Sequence, residues 1–250
     1  MRTRFLLVWS LGVLAVPGLA QAGPIVNFAP LSVGGKVTNL GSGAATISGS
    51  HIIAQALKKD SSGNWVASYL IARNETNDHG LGVCSEGTGN CNIGSTGGGD
   101  RNELSQLTNE EAILLSLDAG WNWSQLWVSS LDSGDSPAPN GLDVDGKESG
   151  RVYWGSSSTI TALLAGPSFG FQYGDFGTSV EGNILGLSAA GSFDKASRYV
   201  LFRPDGTLGA NNDYLVYGAS VTPVPEPGTL GLLGVGLAAA VRAARRRRQT

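Results

Sequence analysis

Residues that carry chemistry are scarce in this chain. Its 250 residues include two cysteines, two histidines and one methionine. With His51 and His79 as the only imidazoles, no H-E-x-x-H motif exists, and no four-ligand zinc set has a usable spacing. The chain also lacks a Walker loop and a dinucleotide fingerprint, which removes the common phosphate-cradling functions. One G-x-S-x-G match exists, Gly166 to Gly170 around Ser168. A nucleophile elbow needs a strand before it and a helix after it. The residues that follow, Phe171 to Gly177, do not start a helix, and both histidines precede the serine. The match is rejected, and Asp175-Phe176-Gly177 is an isolated kinase-like tripeptide with no companion motif. Carboxylate pairs of the glycoside-hydrolase kind stay open, since nothing in the sequence selects one.

Glycine is abundant, at 37 residues, and turn-forming residues recur about every ten positions between short apolar runs. That spacing predicts many short strands. The expected strands are Ile25–Ser32, Lys36–Ser48, Ile52–Lys58, Trp65–Arg73, Ala112–Asp118, Gln125–Leu131, Arg151–Trp154, Thr159–Leu164, Ser168–Tyr173, Asn183–Ser188, Tyr199–Arg203 and Tyr214–Val221. In Tyr199–Arg203 and in Trp65–Leu70, β-branched and aromatic residues alternate as on a half-buried pleated surface. Between the termini no segment keeps helical periodicity over twelve residues. Ser105 to Asp118 comes nearest and is read as a turn into a strand. The expected fold is mainly β: an antiparallel β-sandwich, jelly-roll-like, over residues 23–222. No repeat of fixed period points to a propeller or solenoid.

The two ends differ from this body. Met1 to Ala22 reads as a secretory signal peptide, with Arg2 and Arg4 before an apolar run and an A-x-A cleavage site at Ala20 and Ala22. At the other end, residues 223–250 have three parts in order. Val224-Pro225-Glu226-Pro227 is rigid and extended, because proline fixes its own φ and restricts the residue before it. Gly228 to Val241 is uncharged for fourteen residues. Arg242 and Arg245, Arg246, Arg247 and Arg248 close the chain with positive charge. A span needs about twenty apolar residues. Running on to Ala244, with Arg242 snorkelling, gives seventeen residues, roughly 25 Å of helix and enough for a thin bilayer. A single C-terminal transmembrane helix with its arginines in the cytoplasm is the expectation. A buried helix with a solvated basic end is the alternative.

This tripartite order resembles the PEP-CTERM sorting signal of exported bacterial surface proteins. The resemblance implies that an exosortase-type membrane protease reads Pro225-Glu226-Pro227 and cuts nearby. It also implies anchoring in the lipid bilayer before sorting, and final placement at the cell surface or in the extracellular matrix. Without its ends the chain keeps 10 basic and 19 acidic residues, a net charge near −9 that repels nucleic acid.

Within the body, Asn74 to Asn102 forms a long glycine-rich loop that contains Cys84 and Cys91. In an exported protein these pair most simply as a disulfide, with free or metal-bound thiols as the alternative. Part of this stretch, Asp78 to Cys84 with Glu103-Leu104, resembles loops of other PEP-CTERM cargo and implies no activity. Trp121, Trp123 and Trp127 gather in one segment. Exposed, they would stack on the sugar rings of an extracellular polysaccharide; buried, they fill the core. Asp132 to Asp135 and Asp143-Val144-Asp145-Gly146-Lys147-Glu148 supply hard oxygen ligands, so Asp143, Asp145 and Glu148 are a candidate calcium set. The second motif departs from an EF-hand loop, with Lys147 at the third ligand position and no flanking helices. Turn propensity alone also explains such residues. No other cofactor is implied. The expected function is a non-enzymatic surface or matrix protein, with a carbohydrate-binding module as the alternative.

Overall fold

The computed structural model describes residues 26–28, 37–47, 50–74, 79–85, 103–105, 109–131, 147–177, 179–206, 212–225 and 227–247. The expected signal peptide lies outside these residues. The strands are β1 (Val26–Asn27), β2 (Thr38–Gly41), β3 (Ala45–Thr46), β4 (Ile52–Lys59), β5 (Trp65–Ala67), β6 (Tyr69–Asn74), β7 (His79–Cys84), β8 (Leu104–Ser105), β9 (Glu111–Leu117), β10 (Trp121–Ser129), β11 (Ser149–Gly155), β12 (Ser168–Gln172), β13 (Gly182–Asn183), β14 (Tyr199–Pro204) and β15 (Asp213–Pro223). Among the described residues two α-helices accompany them, α1 (Ile160–Leu164) and α2 (Pro227–Arg247).

The strands form two antiparallel sheets. One runs β13-β10-β15-β7-β6-β2, with β1 and β8 also on β15. The other runs β12-β11-β14-β9-β4-β3, with β5 also on β4. Alternation along the strands builds one core between them. Ile52, Ala54 and Ala56 of β4, Ile113, Leu115 and Leu117 of β9, and Val200 and Phe202 of β14 come from one sheet. Leu81 and Val83 of β7, Leu126 and Val128 of β10, and Tyr214 and Val216 of β15 come from the other. Each side chain follows from the period of two, which sends successive residues to opposite faces. The mainly β, two-sheet expectation holds.

Several segments differ from their sequence reading. The expected Trp65–Arg73 strand is two strands, β5 in one sheet and β6 in the other. They part at Ser68, which is buried and donates its hydroxyl to the Cys84 carbonyl at 2.9 Å. Lys36–Ser48 likewise divides into β2 and β3. Thr159–Leu164 is a helix, not a strand: Ile160, Leu163 and Leu164 stand at i, i+3 and i+4, and Leu163 buries against Leu57, Leu114 and Leu201. Asn183–Ser188 is a strand only at its first residue. The Asn183 side chain then accepts the Leu185 amide at 3.2 Å and caps a short 3-10 turn. His79–Cys84, assigned to the long loop, is a strand between β15 and β6. Just past β10, Ser130 takes a positive φ of +64°.

Candidate functional site

The C-terminal signal meets the body with almost no linker. β15 is a central strand, paired with β10, β7, β1 and β8. Its last pair is Trp121 with Pro223. One residue later, the Val224 amide donates to the Gly120 carbonyl at 2.8 Å. Val224 and Pro225 are exposed, and α2 begins at Pro227. Glu226 and Arg248 lie outside the described residues. The expected transmembrane helix is corrected: among the described residues no helix is long and apolar enough to cross a membrane. α2 runs for 21 residues, but four glycines dilute its apolar part and arginines occupy its last turns. Val235, Leu237 and Val241 are exposed along it.

The three tryptophans do not make one platform. Trp123 is a core residue, fully buried, with its indole N–H donating to the Ser197 carbonyl at 2.8 Å. It has no ring face to offer a sugar, and that part of the expectation is corrected. Trp121 is half-buried against the same core, and the His51 ring stacks on it at 3.9 Å and 19°. Trp127 is half-buried outside that core and meets Tyr217 edge-on at 6.4 Å. The Trp127 indole nitrogen is buried without a hydrogen-bond partner among the described residues. Tyr217 accepts the Asn27 side-chain amide at 2.7 Å. Burial, with Glu181 nearby, raises its phenol pKa above the ordinary value. A bulge in β10 between Trp123 and Gln125 breaks the alternation and separates the tryptophans.

Of the candidate calcium ligands, Asp143 and Asp145 lie outside the described residues, as do Asp132 and Asp135. Glu148 is buried at the entry to β11 and its carbonyl accepts the Tyr173 amide at 2.9 Å. Among the described residues no group of three histidine, cysteine, aspartate or glutamate side chains is placed to hold a metal. Cys84 ends β7, fully buried against Val37 and Ile71. No free cysteine occurs among the described residues. Cys91 lies outside them.

One arrangement was missed by sequence reasoning. On the outer face of the β12–β3 sheet, polar side chains from separate strands line up in one row. Register places Gln172 opposite Ser149, and Gly170 opposite Arg151, which lies opposite Arg203. Arg151 donates to Asp205 at 2.7 Å, and this bond raises the guanidinium pKa further. Glu110 accepts from Arg203 and from Lys59, both at 2.8 Å. The Lys59 ammonium sits 5.8 Å from the Trp65 ring centre. At the β12 end, Ser149, Gly170, Phe171, Gln172, Asp175 and Asp205 line an open pocket of about 310 Å³. Alternation was the only available signal, since Ser149, Arg151 and Arg203 occupy the outward positions of β11 and β14. The match rejected as a nucleophile elbow lies here: Ser168 opens β12, and a strand, not a helix, follows it.

A family model of the PEP-CTERM protein-sorting motif matches residues 223–248. The chain thus carries that motif directly after its last strand. No curated protein and no solved structure matches the chain.

Proposed function

We propose that this chain is a non-catalytic cargo of the cell surface or extracellular matrix, delivered as a folded sandwich through its C-terminal motif. The motif implies an exported, sorted surface protein whose sorting is associated with a membrane and read by an exosortase. The observation that carries the proposal is the junction. The motif starts where β15 ends, so a cut near Pro225-Glu226-Pro227 removes no strand from either sheet. Val224 and Pro225 are exposed at this junction, where a protease can reach them. While the motif is read, α2 meets the membrane. Its arginine-rich end contributes about 1 kcal/mol per residue near an anionic lipid surface. Export through the Met1 to Ala22 leader makes the Cys84–Cys91 disulfide the natural state of those thiols.

Intact mass and fractionation of the protein from its own cells test this reading. The expected species starts at Gly23, ends near Pro225 to Pro227, and is found outside the inner membrane. A mass that keeps the arginine tail, found in the inner membrane, would overturn it. Turnover of any glycan by the purified protein would overturn the non-catalytic part.

The second reading is a carbohydrate-binding module. The row of side chains ending in the pocket between β11 and β12 favours it. The tryptophan trio no longer does.

A further inference from the structure

We propose that the outer face of the sheet from β12 to β5 is a binding track for an uncharged polysaccharide, with the pocket lined by Asp175 and Asp205 as its anchoring subsite. The inference rests on the carbohydrate reading and names its site.

The row crosses β12, β11, β14, β9, β4 and β5 in the order in which they pair. At about 4.8 Å between neighbouring strands, it spans roughly 24 Å, the scale of a short stretch of polymer. Its charges are already matched. Arg151, Arg203 and Lys59 balance Asp175, Asp205 and Glu110, so the row has no net charge. A polyanion gains nothing there, and a body near −9 repels it. Sugar hydroxyls need donors and acceptors held in fixed positions. Ion pairs provide them, because each partner fixes the other while leaving N–H groups and lone pairs free. The pairs are reachable: the Arg151 and Asp205 side chains are 36% and 39% exposed, and that of Lys59 is 34%.

The pocket adds shape. Its volume is at the lower bound of common ligand sites, about 300–1,000 Å³. The Phe171 ring points the other way, into the core and edge-on to Tyr214 at 5.2 Å, so the side chains around the opening are the polar ones of Ser149, Gln172, Asp175 and Asp205. Gly170 keeps the wall low, with the Arg151 guanidinium and the Asp205 carboxylate beyond it. Asp175 accepts the Gln172 amide at 2.8 Å through one oxygen. At the far end Trp65 offers a half-buried ring beneath the Lys59 ammonium. The apolar cluster under α1, built on Leu57, Leu114 and Leu201, borders the row on one side. Surface ion pairs contribute little to stability. A ladder kept for solubility alone has no use for a pocket at its end.

The test uses the full chain in detergent micelles, titrated calorimetrically with soluble dextran, a mixed-linkage β-glucan and a galactomannan. Polygalacturonate serves as the acidic control. Gly170→Leu is the main variant. A Cβ there lies 3.6 Å from both Arg151 Nη2 and Asp205 Oδ2, ordinary contact, while the rest of the side chain fills the pocket mouth. The expected result is binding to at least one uncharged polymer and none to polygalacturonate. Affinity should fall at least tenfold in Gly170→Leu, several-fold in Trp65→Ala, and not at all in Lys195→Ala, which lies outside the row. Thermal midpoints close to that of the parent chain certify the fold of each variant. If Gly170→Leu does not fold, Trp65→Ala and Asp175→Asn decide in its place. Binding that survives these substitutions overturns the track and leaves the carbohydrate reading standing. Absence of binding to all three neutral polymers overturns both. Neither result bears on sorting, which the intact mass decides.

Discussion

Gly80→Ala is expected to destabilise the sandwich severely, through two independent terms. Gly80 has φ +138°, a conformation that residues with a Cβ rarely adopt. A Cβ there would stand 2.5 Å from the Val216 carbonyl oxygen, 2.8 Å from its carbon and 2.9 Å from the Tyr217 Cα. All three atoms are backbone of β15, so no side chain can rotate away to relieve the clash. Relief requires moving β7 from β15, which are in register at Leu81 and Val216. Backbone strain of about 1–3 kcal/mol and overpacking of about 1–3 kcal/mol sum to roughly 2–6 kcal/mol. That is a large part of a typical stability of about 5–15 kcal/mol. At about 2–4 °C per kcal/mol for a body of this size, the midpoint falls by roughly 4–24 °C. Gly63→Ala separates the terms, because Gly63 has φ +81° and nothing within 4 Å of its Cβ position. It should show the conformational cost alone, about 1–2 kcal/mol. The assay is urea unfolding followed by far-UV circular dichroism on both variants. If Gly80→Ala costs no more than Gly63→Ala, β7 does not pass this close to β15 and the reasoning fails.

Three further outcomes are expected. Trp123→Ala should cost about 3–5 kcal/mol in the same unfolding assay, because it empties a fully buried site and orphans the Ser197 carbonyl. Trp121→Ala should cost less than half as much, and equal losses would refute the assignment of the two rings. Glu110→Gln should change stability by only about 1 kcal/mol, since its pairs with Lys59 and Arg203 are partly exposed, and a loss above about 3 kcal/mol would make the row a structural element. Burial raises the Tyr214 phenol well above the ordinary range near 10. Its contribution is therefore full below about pH 10 and is lost as pH rises towards the folded-state value. Tyr214→Phe should reduce the alkaline loss of stability between pH 9 and 11, and identical pH profiles for the two proteins would refute the linkage.

The sequence exposes some of this architecture because local pattern and tertiary role agree. Tyr199 to Arg203 alternates, and its even-numbered residues Val200 and Phe202 do enter the core. The tail is legible for a different reason: Pro-Glu-Pro, an uncharged run and an arginine cluster need no tertiary partner to be recognised. The signal fails where a residue's role is set by a distant strand. Gly80 and Gly82 read as loop residues, yet the missing side chain at Gly80 is what lets β7 lie against Val216 of β15. The tryptophans read as one cluster, and a bulge of β10 at Ser124 divides them. The polar row is the extreme case. Lys59, Glu110, Arg151 and Arg203 are spread over almost 150 positions and look like ordinary surface charges one at a time. Only the order β4-β9-β14-β11 brings them side by side, and only the register of β12 adds the opening at Gly170. Motif searching rewards groups that are close in sequence. In an antiparallel sandwich, by contrast, each strand contributes one or two outward side chains to any line drawn across a sheet. A row of that kind has no sequence motif to find, which is why the sorting motif is legible in the sequence while the row becomes visible only once the strands are paired.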